Sequence, residues 1–347
     1  MKILFIDFST KLKTVWDLAN KARGGMVSSL FAVSDHLSES GHTVHVVSDV
    51  ETPGRTRSGV EWLKEPDSSY DILVCNRGVG QGYSAIEARR RVLWTHDLPH
   101  VGFIMKPKIM GAFHKVVFMS RYAERVWRSF CPEIGKSVTI PNGVDKAIFH
   151  PREKVPDTLI YASAPNRGLK RLPFIVDATS AKVGRDLKLK AFSNMAALHP
   201  NEVRDEKQDG FALIYEELRE SKVKLCDPVP QPALAKQLGM AEAMIIPTDY
   251  PEICSNTILQ SLACGTPVIT TGRLGSAPEW VRDGKNGCLT KWQPADYMVF
   301  QMEIINRLVE LFKNPRKLAR MQRAAARTKI YSWSEIGAQW ERMLRRL

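Results

Sequence analysis

The apolar residues of this chain fall into short, nearly continuous runs: KILFID from Lys2, TVHVVSD from Thr43, DILVCN from Asp71, RVLWT from Arg91, KVVFM from Lys115 and SVTI from Ser137. Runs of this kind, with little polar alternation, predict strands covered on both faces. Between the first two lies GGMVSSLFAVSDHLSESG. Its Met26, Leu30, Val33 and Leu37 share one helical face, and Gly41 predicts a C-cap. Strands alternating with helices predict an α/β fold, a parallel sheet flanked by helices.

The pattern breaks at IPNGVDKAIFHPREKVPD, residues 140–157, where Pro, Asn, Gly and charge predict a linker. It then restarts with TLIYAS, LKLKAFS, VKLC, EAMIIP, PVITT and GCLT. Two doubly wound, Rossmann-like domains are therefore expected, at about 1–150 and 151–325, facing a cleft. A terminal segment, 326–347, follows, in which Trp333, Ile336, Trp340 and Leu344 recur at helical spacing. In open parallel sheets, ligands sit beyond the carboxyl ends of the strands where strand order reverses. Helix N-termini point to the same place and favour anions.

Composition narrows the class. The chain has 347 residues, 44% of them hydrophobic and 25% charged, as expected of a globular protein with two cores. The start MKILFIDF shows no cleavage-site pattern, and no apolar run is long enough to span a bilayer. The six cysteines form no CxxC pair, so buried reduced thiols are expected rather than disulfides or zinc. A net charge of +13 points to anionic partners.

The stretch PEICSNTILQSLACGTPVITT, from Pro251, carries candidate chemistry. Ile258, Leu259, Leu262 and Ala263 share one helical face, while Asn256 and Gln260 share another. Glu252 sits in the loop before the helix. Glu252, Ser255, Asn256 and Gln260 can thus border one ligand, with the first-turn amides free for an anion. The spacing equally fits an ordinary helix start, with Ser255 or Asn256 as N-cap and Glu252 complementing the dipole.

Glu252, Gln260 and LACGTPVI together resemble the signature of the retaining GT-B glycosyltransferases of family 4 (glycosyl transferases group 1), where Glu, seven residues and a second Glu precede CGTPV. The likeness extends to VLWTHDLPH, VVFMSRYAERVW, IPNGVDKAIFHP, YASAPNRGLKRL, APEWVRDGKNG and YSWSEIGAQWERML. It implies a metal-independent hexosyltransferase that moves a sugar from a UDP- or GDP-sugar to a glycan or lipid-linked acceptor with retention. The first domain would take the acceptor and the second the donor, and the terminal helix would cross back to the first.

By the same resemblance, Glu252 contacts the reacting sugar, the helix start at Ser255 and Asn256 receives the diphosphate, and Arg167 with Lys170 neutralises it. Position 260 grips the ribose. Here it is Gln, which offers one acceptor oxygen and two donors in place of a carboxylate. His96 hydrogen-bonds the donor sugar, and Asp97 orients its ring or meets the acceptor. Gly25 lies near the donor phosphates and Gly24 on the acceptor side. No Asp-x-Asp triplet occurs, so no metal and no cofactor beyond the nucleotide-sugar substrate is expected.

Two other readings remain open. Gln260 would suit a non-catalytic sugar-nucleotide-binding subunit, and the charge would suit a DNA-directed glucosyltransferase, although the basic segments hold few aromatics to stack on bases. The expected location is the cytoplasm, at the inner face of the membrane. Arg89, Arg90, Arg91, Lys106, Lys108, Lys115, Arg121, Arg125 and Arg128 are interleaved with Ile104, Met105, Ile109, Met110, Phe113, Val126 and Trp127. On one shared face these would bind an anionic leaflet.

Overall fold

The computed structural model describes residues 1–15, 25–77, 85–99, 110–195 and 210–347. The chain divides into two compact units: Met1–Gly143 with Tyr331–Leu347, and Val144–Ile330.

The first unit is built on β1 (Lys2–Thr14), β2 (Thr43–Thr52), β3 (Gly54–Arg55), β4 (Glu61–Leu63), β5 (Ser69–Asn76), β6 (Glu87–Trp94), β7 (Lys115–Phe118) and β8 (Ser137–Thr139). Their order is β3-β4-β2-β1-β5-β6-β7-β8, and only the β3–β4 pair is antiparallel. Strand order reverses between β1 and β5. Strand β1 runs to Thr14, well past the six-residue KILFID expected. Its register on β2 shifts between Asp7 and Lys11 and then resumes as far as Thr14 and Thr52. A bulge lets a strand continue in this way, and the β-branched Thr residues on both partners suit the extension.

The helix Gly25–Glu39 buries Leu30, Val33 and Leu37, and Gly41 follows it at φ 83°. The terminal helix Trp333–Leu344 packs on the first unit through Trp340, whose ring lies 4.6 Å from Trp94 and 6.4 Å from Phe5. It opens with a reciprocal capping box between Ser332 and Glu335.

The second unit has six parallel strands: β9 (Thr158–Ala162), β10 (Lys188–Phe192), β11 (Val223–Cys226), β12 (Ala243–Ile246), β13 (Val268–Thr271) and β14 (Gly287–Thr290). Their order is β11-β10-β9-β12-β13-β14, so the reversal lies between β9 and β12. The core between this sheet and the helices Leu172–Val183 and Tyr297–Lys313 holds Leu159, Tyr161, Ile175, Phe300, Ile304 and Leu308. Lys154, in the segment entering this unit, is half-buried. Its ammonium donates to the carbonyls of Gly239 (2.8 Å) and Cys264 (3.2 Å), at the ends of helices Gln231–Met240 and Asn256–Ala263. Burial lowers its pKa to about 8. All six cysteines are free thiols, and five are buried.

Among the described residues, the apolar side chains interleaved with the basic stretch do not form a surface stripe. Met110, Phe113 and Trp127 are buried, whereas Arg121 and Arg125 are exposed. The reason is the 3.6-residue period: the helix Arg121–Phe130 turns Ala123 and Trp127 inward and its arginines outward. Lys106, Lys108, Ile104, Met105 and Ile109 lie outside the described residues. Among the described residues, no helix is long and apolar enough to cross a membrane.

Candidate functional site

In the second unit, the loops leaving β9 and β12 meet at the strand-order reversal. Arg167 follows β9, Glu252 follows β12, and the Arg167 Nε donates to the Glu252 carboxylate. The Arg167 guanidinium also lies over the Tyr250 ring, 3.4 Å from its centroid. The residue after it, Gly168, makes this approach possible. Its φ is +97°, and a Cβ there would stand 2.1 Å from the Pro247 carbonyl oxygen of the opposite loop. Only glycine tolerates both conditions.

A second arginine braces the same two loops from below. Arg171 is 2% exposed; it donates to the Pro247 carbonyl (3.2 Å) and to Asp249 (2.8 Å). Burial alone would raise the Asp249 pKa, but the Arg171 guanidinium outweighs it and holds the carboxyl below its usual range. Lys170 is exposed beside this pair. A third loop, after β13, pins Glu252: the Ser276 amide donates to its carbonyl (2.8 Å), and a Cβ on Gly275 would stand 2.8 Å from that same oxygen.

Ser255 is the N-cap of the helix Asn256–Ala263, yet its hydroxyl makes no cap bond and meets the Thr257 hydroxyl at 3.2 Å. The Ser255 hydroxyl therefore does not cap the first-turn amides. Gln260, one turn on, is buried and its amide donates to Gln231 Oε1 at 2.9 Å. Arg167, Glu252, Ser255 and Gln260 were all singled out from sequence. Arg171, Tyr250 and Gln231 were not, and of these only Arg171, within LKRL, carried any signal.

The first unit has a different kind of site. His96, two residues beyond β6, is buried, with its ring 4.6 Å from that of Trp94. Burial, and then the nearby Arg77 charge, lower its pKa to about 3, so the ring is neutral at physiological pH. Its Nε2 has no partner among the described residues, and neither do both amide atoms of Asn76 and the indole nitrogens of Trp94 and Trp340. Asn76 ends β5 opposite Trp94.

Asp97 does not orient the imidazole. Its carboxylate takes the Arg77 guanidinium and its carbonyl accepts from Trp127 Nε1 at 2.8 Å. Arg77 wins this carboxylate because its backbone, at φ 71°, turns back on β6, where its amide bonds the Trp94 carbonyl at 2.7 Å. Gly25 opens its helix and is exposed; Gly24 lies outside the described residues.

Residues 157–308 match the family model described as Glycosyl transferases group 1. Sucrose-phosphate synthase from Thermosynechococcus elongatus superposes with a TM-score of 0.77 at 15% identity, over 99% of this chain and 98% of that one. A glycosyltransferase from Rickettsia africae gives 0.72 at 16%, over 99% and 98%. Anabaena HepE, solved with UDP and glucose, gives 0.70 at 17%, over 100% of both chains.

The fold is GT-B.

No curated protein matches the sequence. Within the GT-B fold, the family match spans most of the second unit and contains both Arg167 and Glu252. The β9/β12 reversal, the Gly168 contact and the start of the helix Asn256–Ala263 all lie in that unit.

Proposed function

We propose that the chain is a glycosyltransferase of family 4 that transfers a sugar from a nucleotide-sugar with retention. The observation that carries this reading is the Arg167–Glu252 pair at the β9/β12 reversal, beside the N-terminus of the helix Asn256–Ala263. The contact with Glu252 uses one of the five guanidinium N–H donors, which leaves a fork suited to phosphate oxygens. Glu252 keeps a second carboxylate oxygen for a sugar hydroxyl. The helix N-terminus adds amides and a favourable dipole for the diphosphate.

As the glycosidic bond breaks, charge gathers on the leaving diphosphate. Arg167, Lys170 and the first-turn amides would meet it, so no metal is required. No carboxylate nucleophile is assigned. The leaving phosphate would take the acceptor proton on the same face of the sugar, and His96, neutral, would donate or accept a hydrogen bond rather than carry charge. Support for a nucleotide-sugar as donor comes from the fold: Anabaena HepE is solved with UDP and with UDP-glucose. The acceptor would be a glycan or a lipid-linked glycan, taken by the first unit at the inner face of the membrane. A turnover assay with a panel of UDP- and GDP-sugars, with and without EDTA, tests the reading. Transfer that survives EDTA is expected. Hydrolysis and transfer both absent with every donor would leave only a nucleotide-sugar-binding subunit.

A further inference from the structure

A second concentration of positive charge lies on the first unit, away from the His96 edge. Lys115 and Ser137 are the first residues of β7 and β8, so they mark the amino ends of these parallel strands, whereas His96 lies beyond a carboxyl end. Here the sheet edge and the terminal helix enclose a groove of about 450 Å³. Lys115 comes from β7, Arg342 from the helix Trp333–Leu344, and Arg346 from the turn after it.

Several neighbouring charges are already engaged. Arg345 pairs with Glu341, the Arg90 guanidinium donates to the Leu347 carbonyl, and Glu124 is held by Arg128 and the Ser137 hydroxyl. Lys115, Arg342 and Arg346 pair with no carboxylate among the described residues. The negative end of the helix dipole explains cations in the last turn, but not one contributed by a strand. Three unmatched cations around one groove repel each other, and a bound anion would relieve that. Gln339 adds an amide on the same wall, and Ile140 and Met343 form a buried apolar floor.

We propose that this groove is an anion site for a phosphate ester: the cations grip the phosphate, and the floor covers the first carbons of the ester. It is separate from the donor site and does not depend on how that site works. The test uses the full chain with methionine methyls labelled with carbon-13, the Met343 signal being assigned through Met343→Leu. Inorganic pyrophosphate and dihexanoyl phosphatidic acid are titrated in separate arms. The Met343 methyl should shift saturably. The apparent affinity should fall about tenfold or more in Lys115→Ala/Arg342→Ala/Arg346→Ala, because charge-assisted hydrogen bonds are lost. A response to both probes assigns a soluble phosphate ester, and a response to phosphatidic acid alone assigns a lipid headgroup. No saturable shift with either probe, or an undiminished shift in the triple variant, overturns the proposal.

Discussion

The two units solve the same topological problem with different chemistry. Each has a sheet whose strand order reverses, and each gathers polar residues at the carboxyl ends of its strands. In the second unit these residues are charged and matched: Arg167 with Glu252, Arg171 with Asp249. In the first, the Arg77–Asp97 ion pair stands beside buried neutral groups whose polar atoms have no partner among the described residues: Asn76, His96 and the indoles of Trp94 and Trp340. A matched ion pair holds two loops in register while keeping spare donors for an anion. Buried neutral groups such as Asn76 and His96 suit hydroxyl partners, because an ion brought among them would lose its hydration.

The largest effect should come from breaking the charged side. Glu252→Ala should lower kcat by about a thousandfold, on the order of 4 kcal/mol of transition-state stabilisation, with a smaller change in donor binding. Steady-state kinetics on the folded variant checks this, and a near-normal kcat would remove Glu252 from the reaction. Gly168→Ala should act on structure instead. Positive φ and the Pro247 clash together should cost on the order of 3 kcal/mol and separate the β9 and β12 loops, read as a drop in denaturant midpoint.

The neutral side should answer to pH. His96 is protonated near 6.5 when unfolded and at about 3 when folded. Between those values the unfolded chain binds the extra proton, so the contribution of this group to stability is full above about 6.5 and is lost on acidification. The slope is at most about 1.4 kcal/mol per pH unit. His96→Asn should flatten the fall in Tm between neutral and mildly acidic pH; an unchanged profile would show that the ring titrates freely. The smallest effect should come from Gln260→Glu. Gln231 can turn its own amide to donate to the new carboxylate, so the variant should fold normally and bind donor at least as well. Loss of donor binding would mean that Gln260 meets some group other than a ribose hydroxyl.

The central strands, such as Ala243–Ile246 and Val268–Thr271, were legible because each is covered on both faces and reads as an unbroken apolar run. Gly54–Arg55 and Glu61–Leu63 were missed because two- and three-residue strands have no period to detect. Glu252 and Arg167 were legible through their motifs, but their contact was not. It joins residues 85 apart, and Gly168 and Pro247 set its geometry. Arg171 and Gln231 look like surface residues in sequence, and only the folded loops show that one is buried and the other bonds Gln260. The basic surface was legible as charge, but the burial of Trp127 and Phe113 depends on helix phase and tertiary packing.

The central claim is that the second unit binds a nucleotide-sugar through Arg167 at the β9/β12 reversal. The direct measurement is thermal unfolding of the wild type and of Arg167→Ala against a panel of nucleotides and nucleotide-sugars. At about 100 times Kd, a ligand that binds only the folded state adds about 2.7 kcal/mol, which raises Tm by several degrees. At least one diphosphate ligand should do this for the wild type, and the shift should be largely lost in Arg167→Ala. No shift with any member of the panel, or an equal shift in the variant, would contradict the claim.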